Sequence, residues 1–227
     1  MSIKFRVVCA TRETKEQFAR TALGRSMALL PYPFVELRLF ASNSSGLPTL
    51  YNTALREAER DPAILVFVHD DVFLYDLFWP NHIHEGLRSF DIIGLAGNKR
   101  RVAAQPAWRF LDDKLTRDDR ANLSGMLAHG SQWPPDYVSY YGHPYQQVKL
   151  LDGVLLACAS ETLLSRNIAF DERFDFHFYD LDLCRQAELA NLRLGTCTVS
   201  VMHASDGKFG SPSWRAGYAE YLKKWQS

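Results

Sequence analysis

The chain has 227 residues, of which 47% are hydrophobic and 23% are charged, the composition of an ordinary globular protein. That length fits one large domain with a substantial interior. Lys and Arg total 26, as do Asp and Glu, so the formal net charge is zero and no excess positive field is available to attract nucleic acid.

The first 70 residues alternate between strand and helix patterns. Apolar alternation predicts strands over 3–10 and 34–40, and the wholly apolar run Ile64–Val68 predicts a third, buried strand. Helical spacing between them, with Pro48 placed in a first helical turn, predicts two helices. The order β-α-β-α-β favours a mostly parallel central sheet with right-handed crossovers and flanking helices.

The third predicted strand ends abruptly in His69, Asp70 and Asp71. Open α/β sheets bind ligands at the carboxyl ends of their strands, although two aspartates can also simply solvate a turn. The common glycine-rich phosphate loops are missing, because the first strand continues into Thr11 and Arg12 and no Gly-Lys-Ser/Thr run occurs. If phosphates bind here, a divalent cation held by carboxylates is the usual substitute, which favours Asp71 as a ligand.

The middle of the chain is less regular. The pattern predicts a helix over 81–90 and a short strand over 91–97, and then lapses between Asn98 and Gln147. An irregular insertion of about fifty residues is uncommon inside a compact domain and is usually functional or mobile. Its aromatic residues could cover a satellite core or provide flat stacking faces for a polar ligand such as a sugar.

A second acidic group lies at the start of a predicted helix. If that helix begins near Tyr179, Asp180 shares an inward face with Leu183. Asp182 shares a face with Arg185 and can pair with it at a solvated surface. An inward carboxylate is the better candidate for a general base, which favours Asp180.

The last part of the chain carries a strand pattern over 192–202, then His203, then an aromatic helical pattern over 214–225. A histidine directly after a buried strand is more often structural than ligating, so His203 alone is a weak metal candidate.

The cysteines and apolar runs predict a cytoplasmic protein. The four cysteines form no Cys-x-x-Cys pair, and reduced cysteines in apolar contexts fit a reducing compartment. The N-terminus shows no secretory apolar region, and no uncharged apolar run approaches the roughly 20 residues of a membrane helix.

Six short segments together carry a family resemblance. They are YNTAL at 51–55, FVHDDV at 67–72, LDGVLLA at 151–157, FDERF at 170–174, FYDLDLC at 178–184 and VMHAS at 201–205. In this order they resemble glycosyltransferases with the GT-A fold, family-two-like, and particularly a small bacterial branch whose metal motif is His-x-Asp-Val.

The resemblance implies a set of site residues. Asp71 would bind a divalent cation, Mn²⁺ or Mg²⁺, with His69 and His203 as further ligands. Asp180, or alternatively Asp182, would deprotonate the acceptor hydroxyl. The residues expected to contact the nucleotide sugar are Thr11, Arg12, Asn43, Asn52, Asp70, Asp152 and Gly153.

The implied fold is α/β, a Rossmann-like GT-A domain with a mostly parallel central sheet and an irregular aromatic-rich insertion. Residues 1–227 would form one catalytic domain, with a nucleotide-binding half over 1–97, the insertion over 98–147 and an acceptor and catalytic half over 148–227.

The implied function is a metal-dependent, inverting transfer of a sugar from a nucleotide-diphosphate sugar to an acceptor hydroxyl. The acceptor would be a sugar or glycolipid in bacterial surface polysaccharide or glycoconjugate synthesis. Peripheral membrane contact is compatible with this role, nucleic acid is not an expected partner, and the oligomeric state is left open.

Two other functions compete with this one. His69 and Tyr179 stand where the family places acids, so a carbohydrate- or nucleotide-binding protein that has lost catalysis is the alternative. A sugar nucleotidyltransferase is disfavoured, because its glycine-rich, arginine-containing loop is absent after the first strand.

Overall fold

In the computed structural model, which describes residues 4–205, 207 and 209–226, the chain forms two β-sheets and seven α-helices. The helices are α1 (Lys15–Phe18), α2 (Ala22–Leu29), α3 (Leu47–Glu57), α4 (Trp79–Ser89), α5 (Ser160–Leu164), α6 (Tyr179–Leu189) and α7 (Pro212–Trp225). The strands are β1 (Phe5–Ala10), β2 (Val35–Phe40), β3 (Ile64–Val68), β4 (Val72–Leu74), β5 (Ile92–Gly94), β6 (Ala96–Asn98), β7 (Leu123–His129), β8 (Tyr137–Gly142), β9 (Gln147–Val148), β10 (Leu150–Leu151), β11 (Leu155–Ala159), β12 (Leu194–Thr196) and β13 (Val201–His203).

The first three strands have the predicted β-α-β-α-β order. β1 pairs in parallel with both neighbours, so that Phe5 lies beside Val35 on one side and Ile64 on the other. The predicted first helix is divided in two, because Thr21 caps a new helix, α2, shortly after α1 ends. Since β1, β2 and β3 run the same way, the segments that follow them meet at one edge of the sheet.

The larger sheet has the strand order β2-β1-β3-β11-β5-β12-β9 across the described residues. β11 is antiparallel to both β3 and β5, and β9 is antiparallel to β12. The α/β class is confirmed, and the sheets are mixed rather than purely parallel. The reason is topological: β11 starts opposite the end of β3, with Leu155 beside Val68, and so runs back through the sheet.

The second sheet corrects the prediction of an irregular insertion. Its order is β10-β6-β7-β13-β4, with β8 paired to β7, and both β7 and β8 come from the segment 98–147. Buried Trp108 in this segment joins the main hydrophobic core rather than a satellite core, and Phe110 is buried as well. Tyr137 and Tyr140 on β8 remain exposed.

The core lies against β3, all five of whose residues are buried, as its apolar run predicts. Phe67 packs on Tyr51 of α3, with ring centroids 4.7 Å apart, and on Phe170. Burial of each such aromatic side chain contributes about 1.5–3 kcal/mol. These contacts fix the position of the β3 carboxyl end.

Helix α6 begins from an unusual backbone conformation. Phe178, its N-cap, has a φ of 69°, the left-handed region that costs a non-glycine residue about 1–3 kcal/mol. The Phe178 ring packs against Trp214, Tyr218 and Tyr221 of α7, which stabilises this conformation. Within the described ranges, no helix combines the length and apolarity needed to cross a bilayer.

Candidate active site

Two strands of the second sheet bring Asp71 and His203 together. Asp71 directly precedes β4, and His203, the last residue of β13, pairs with Val72 at the start of β4. The backbone N–H of Ala204 donates to the Asp71 carbonyl at 3.1 Å. His203 Nε2 consequently lies 3.3 Å from Asp71 Oδ1, although the two residues are far apart in sequence.

His69 completes a cluster that could hold a cation. One ligand atom from each of His69, Asp71 and His203 lies within 4.8 Å of the others. Asp71 Oδ1 is buried and its contacts do not meet hydrogen-bond geometry, so it retains lone pairs for a ligand. The donor set of two imidazoles and one carboxylate fits a divalent metal.

The charges of this cluster also favour ligation. Burial alone would raise the pKa of Asp71, but the His203 and His69 imidazoles outweigh it and lower the pKa to about 2. Burial lowers the pKa of His69 despite the neighbouring Asp71. The Asp71 carboxylate is therefore anionic and the His69 imidazole neutral at neutral pH, which are the metal-binding forms.

Asp180 lies in the first turn of α6 and points toward the turn before β11. Its Oδ2 accepts the Gly153 N–H at 3.0 Å, and its Oδ1 accepts its neighbour Leu181 N–H at 2.9 Å. Burial, followed by the charge of Asp152, raises the pKa of Asp180 to about 7. A carboxylate with this pKa can accept and release protons near neutral pH.

Asp152 is held rigidly beside Asp180. Its Oδ2 accepts from Trp108 Nε1 at 2.6 Å, and its Oδ1 accepts from the Val154 N–H at 2.9 Å. These two bonds fix a negative charge that opposes ionisation of Asp180.

Tyr179 connects the Asp180 side of the site to the His cluster. Its hydroxyl donates to the Gly153 carbonyl at 2.8 Å and lies 3.0 Å from His69 Nε2. A Cβ on Gly153 would lie 2.5 Å from the Tyr179 oxygen, so only glycine allows this contact. One continuous set of hydrogen bonds therefore runs from Asp180 through Gly153 and Tyr179 to His69.

A family model described as a glycosyltransferase-like family matches residues 35–205. This range contains all four residues of the candidate site, His69, Asp71, Asp180 and His203. The chain belongs to this glycosyltransferase family. Among curated proteins, none matches the chain.

Solved glycosyltransferases show the same fold. The mannosyltransferase PcManGT from Pyrobaculum calidifontis, in complex with GDP-Man and Mn²⁺, aligns with a TM-score of 0.57 at 15% identity over 100% of this chain. GalNAc-T7 with UDP, GalNAc and Mn²⁺ aligns with a TM-score of 0.58 at 11% identity over 97% of this chain. Residues 1–349 of TarS from S. aureus align with a TM-score of 0.50 at 16% identity over 89% of this chain. The chain spans 65%, 48% and 60% of those chains, respectively.

The loops after β1 and β2 of this glycosyltransferase lie side by side. Thr11 Oγ1 donates to Asp70 Oδ2 at 2.5 Å, and the Asn43 N–H donates to the Thr11 carbonyl at 2.9 Å. Asn43 also folds its own loop by bonding to Ser45, while Arg12 is exposed. The structure thus brings Thr11, Asn43 and Asp70 together next to the Asp71 cluster.

Asp182 does not occupy the solvated face that its sequence position predicts. It is fully buried and accepts from Trp225 Nε1 at 2.9 Å and from Gln186 Nε2 at 2.8 Å. Lys224 Nζ lies 2.6 Å from Asp182 Oδ1. The helix-face prediction was wrong because α7, which is distant in sequence, covers this side of α6, and these contacts give Asp182 a structural role.

The side chain of Asn52 also forms hydrogen bonds within the protein. Its Nδ2 donates to the Phe170 carbonyl at 2.8 Å and to Glu172 Oε1 at 3.0 Å, while its Oδ1 accepts the Phe170 N–H at 2.9 Å. Asn52 therefore joins α3 to the segment before α6, and since both of its N–H donors are used within the protein, these bonds do not support its expected contact with a nucleotide sugar.

Sequence reasoning missed the roles of Trp108 and Tyr179. Trp108 lies in the segment 98–147, where no periodic pattern indicates that its indole N–H meets Asp152. In the sequence, Tyr179 stands out only because it occupies a position where the family resemblance implies an acid. Its neighbour Asp180 is the signal that indicates a role in the site.

Proposed function

We propose that this glycosyltransferase moves a sugar from a nucleoside-diphosphate sugar to an acceptor hydroxyl in a cation-dependent, inverting reaction. The observation that carries the proposal is the connected pair of groups described above. A half-buried carboxylate with a pKa of about 7, Asp180, is joined through Gly153 and Tyr179 to a His-Asp-His cluster.

His69, Asp71 and His203 would hold the cation. When bound, a divalent cation supplies positive charge that stabilises a departing diphosphate. Two imidazole ligands favour Mn²⁺ over Mg²⁺, which prefers oxygen ligands. The presence of Mn²⁺ in the structures of PcManGT and GalNAc-T7 supports this choice.

The donor nucleotide would bind beside the cluster, over the loops after β1 and β2. Thr11 holds the Asp70 carboxylate in place, so that its remaining acceptor capacity can meet a ribose hydroxyl. Arg12 and Asn43 lie on the same loops and are partly or fully exposed, as groups that contact a nucleotide must be. The ligands of the two structures, GDP-Man in PcManGT and UDP with GalNAc in GalNAc-T7, support a nucleoside-diphosphate sugar as donor.

Asp180 would act as the general base. An acceptor hydroxyl is a poor nucleophile near neutral pH, so a positioned carboxylate must take its proton as the new bond to the anomeric carbon forms. The bond from that carbon to the diphosphate oxygen breaks in the same step, and the single displacement inverts the anomeric configuration. Gly153 and the α6 backbone hold the carboxylate in position.

The proposal also covers the acceptor and the cellular location. We expect a sugar or glycolipid acceptor in surface polysaccharide or glycoconjugate synthesis, with the donor side drawn from residues 1–97 and the base from 148–227. A cytoplasmic location is supported by the cysteines Cys9, Cys158, Cys184 and Cys197, which are all buried and unpaired.

A donor panel tests the proposal without knowledge of the acceptor. Purified protein with Mn²⁺ is incubated with nucleoside-diphosphate sugars, and slow transfer to water is measured as release of nucleoside diphosphate. We expect release from at least one donor and its loss in Asp180→Asn. A folded protein that releases nothing yet binds a nucleotide sugar would instead support the non-catalytic alternative.

A further inference from the structure

The hydroxyl of Tyr179 forms two short contacts that differ in kind. It lies 2.8 Å from the Gly153 carbonyl oxygen and 3.0 Å from His69 Nε2, and the Tyr179 side chain is only 2% exposed. A tyrosine hydroxyl has one hydrogen to donate and lone pairs with which to accept. A carbonyl oxygen can only accept, so the hydroxyl hydrogen is directed to Gly153.

This direction determines what His69 does. Since the hydroxyl hydrogen is already used at Gly153, the contact with His69 is a hydrogen bond only if His69 Nε2 carries the proton and donates it. The reverse arrangement would leave the buried Gly153 carbonyl without its donor, at a cost of about 1–3 kcal/mol. A neutral imidazole protonated at Nε2 has its lone pair at Nδ1.

We propose that Tyr179 is a positioning residue that fixes His69 in the tautomer protonated at Nε2 and so presents Nδ1 to a divalent cation shared with Asp71 and His203. The cation part of this inference rests on the proposed function. Among the described residues, none forms a hydrogen bond with His69 Nδ1, which leaves this atom available as a ligand. Metal-ligating histidines are commonly oriented by a hydrogen bond at their second nitrogen.

This role gives a physical reason for a tyrosine at position 179, where the family resemblance implies an acid. A carboxylate in place of Tyr179 would add negative charge to a site that already contains Asp152 and Asp180. The neutral hydroxyl accepts the same proton from His69 while the ring packs on Tyr51, with centroids 5.7 Å apart. The position orients the imidazole without the cost of burying another charge.

Tyr51 provides a matched control. It is fully buried in the same aromatic cluster, and its hydroxyl lies near that of Tyr179 without meeting hydrogen-bond geometry. Tyr51→Phe therefore removes a buried hydroxyl close to Tyr179 and leaves the bond to His69 in place. Comparison of Tyr179→Phe with Tyr51→Phe separates the hydrogen bond from a general loss of packing.

The decisive experiment is long-range ¹H–¹⁵N NMR of the histidine side chains at pH 8 without metal, with His69 assigned by a His69→Gln variant. We expect the wild type and Tyr51→Phe to show His69 protonated at Nε2, with a proton that exchanges slowly with water. Tyr179→Phe should lose the protected proton. By calorimetry, Tyr179→Phe should bind Mn²⁺ about 10–100-fold more weakly, as is usual for loss of a group that orients a metal ligand.

Each other outcome is informative. A wild-type His69 protonated at Nδ1, or a Tyr179→Phe protein with an unchanged His69 signal, would overturn the inference. A His69 protonated at Nε2 in a folded protein that binds no Mn²⁺ would support the tautomer assignment and overturn the metal-dependent function. Circular dichroism and thermal unfolding of both phenylalanine variants verify that they fold.

Discussion

Asp180 is the residue whose surroundings most directly support proton transfer. Because it must be ionised to accept a proton, and burial raises its pKa to about 7, kcat/KM for donor hydrolysis should rise with pH through this value and then level off. Asp180→Asn should lower kcat by roughly 10²–10⁴-fold while donor affinity changes little. A variant that keeps its rate, or a wild-type profile that is flat from pH 5 to 8, would exclude Asp180 as the base.

Substitution of Asp182, unlike that of Asp180, should change stability and leave the rate unchanged. Asp182→Asn weakens buried bonds to Trp225 and Lys224, so we expect the free energy of unfolding to fall by roughly 1–3 kcal/mol. Lys224 keeps its second partner, Asp171, at 2.7 Å, which limits the loss. Urea unfolding measures the change, and donor hydrolysis by the folded variant should match the wild type. A fall in rate without a fall in stability would return Asp182 to the catalytic candidates.

Helix α7 acts on the site through the start of α6. Trp214 packs on Phe178 with ring centroids 5.5 Å apart, and Phe178 holds the left-handed turn just before Tyr179 and Asp180. Trp214→Ala should lower the free energy of unfolding by about 3–5 kcal/mol, as measured by urea denaturation. The control is Leu189→Ala at an exposed position of α6, which should change it by less than about 0.5 kcal/mol. Equal effects of the two changes would contradict this role for α7.

The elements also show where sequence reasoning succeeded and failed. The apolar run of β3 and the alternation of the first 70 residues locate the strand end that carries Asp71, because burial on both faces leaves a local pattern. The face of Asp182 could not be predicted, since a helix more than thirty residues away covers it. Similarly, two of the three partners of β7, the strands β6 and β13, come from distant segments, so a local pattern does not reveal the second sheet.

At the scale of the whole molecule, the packed interior buries all four cysteines. Cys9, Cys158, Cys184 and Cys197 are each at most 2% exposed, and burial raises the pKa of each thiol. Native protein should therefore react slowly with a thiol-specific chromogenic reagent, and all four should react once urea unfolds it. Rapid labelling of even one thiol under native conditions would contradict the packing described here.

The same scale explains why the site could be only partly predicted. His69 and Asp71 are neighbours in sequence, but His203 joins them through the pairing of β13 with β4. Asp180 joins them through Gly153 and Tyr179, contacts that depend on β11 lying antiparallel to β3. The family resemblance located these residues, and the mixed topology of the sheets determines how they meet.

The central claim is that Asp71 and its two histidines hold a cation that a nucleoside diphosphate needs for binding. Calorimetry with a panel of nucleoside diphosphates, with and without Mn²⁺, tests it most directly. We predict that at least one nucleotide binds the wild type and the exposed-site control Asp113→Asn only when Mn²⁺ is present, and that Asp71→Asn abolishes this binding. Nucleotide binding that is equal with and without Mn²⁺, or unchanged in Asp71→Asn, would contradict the account.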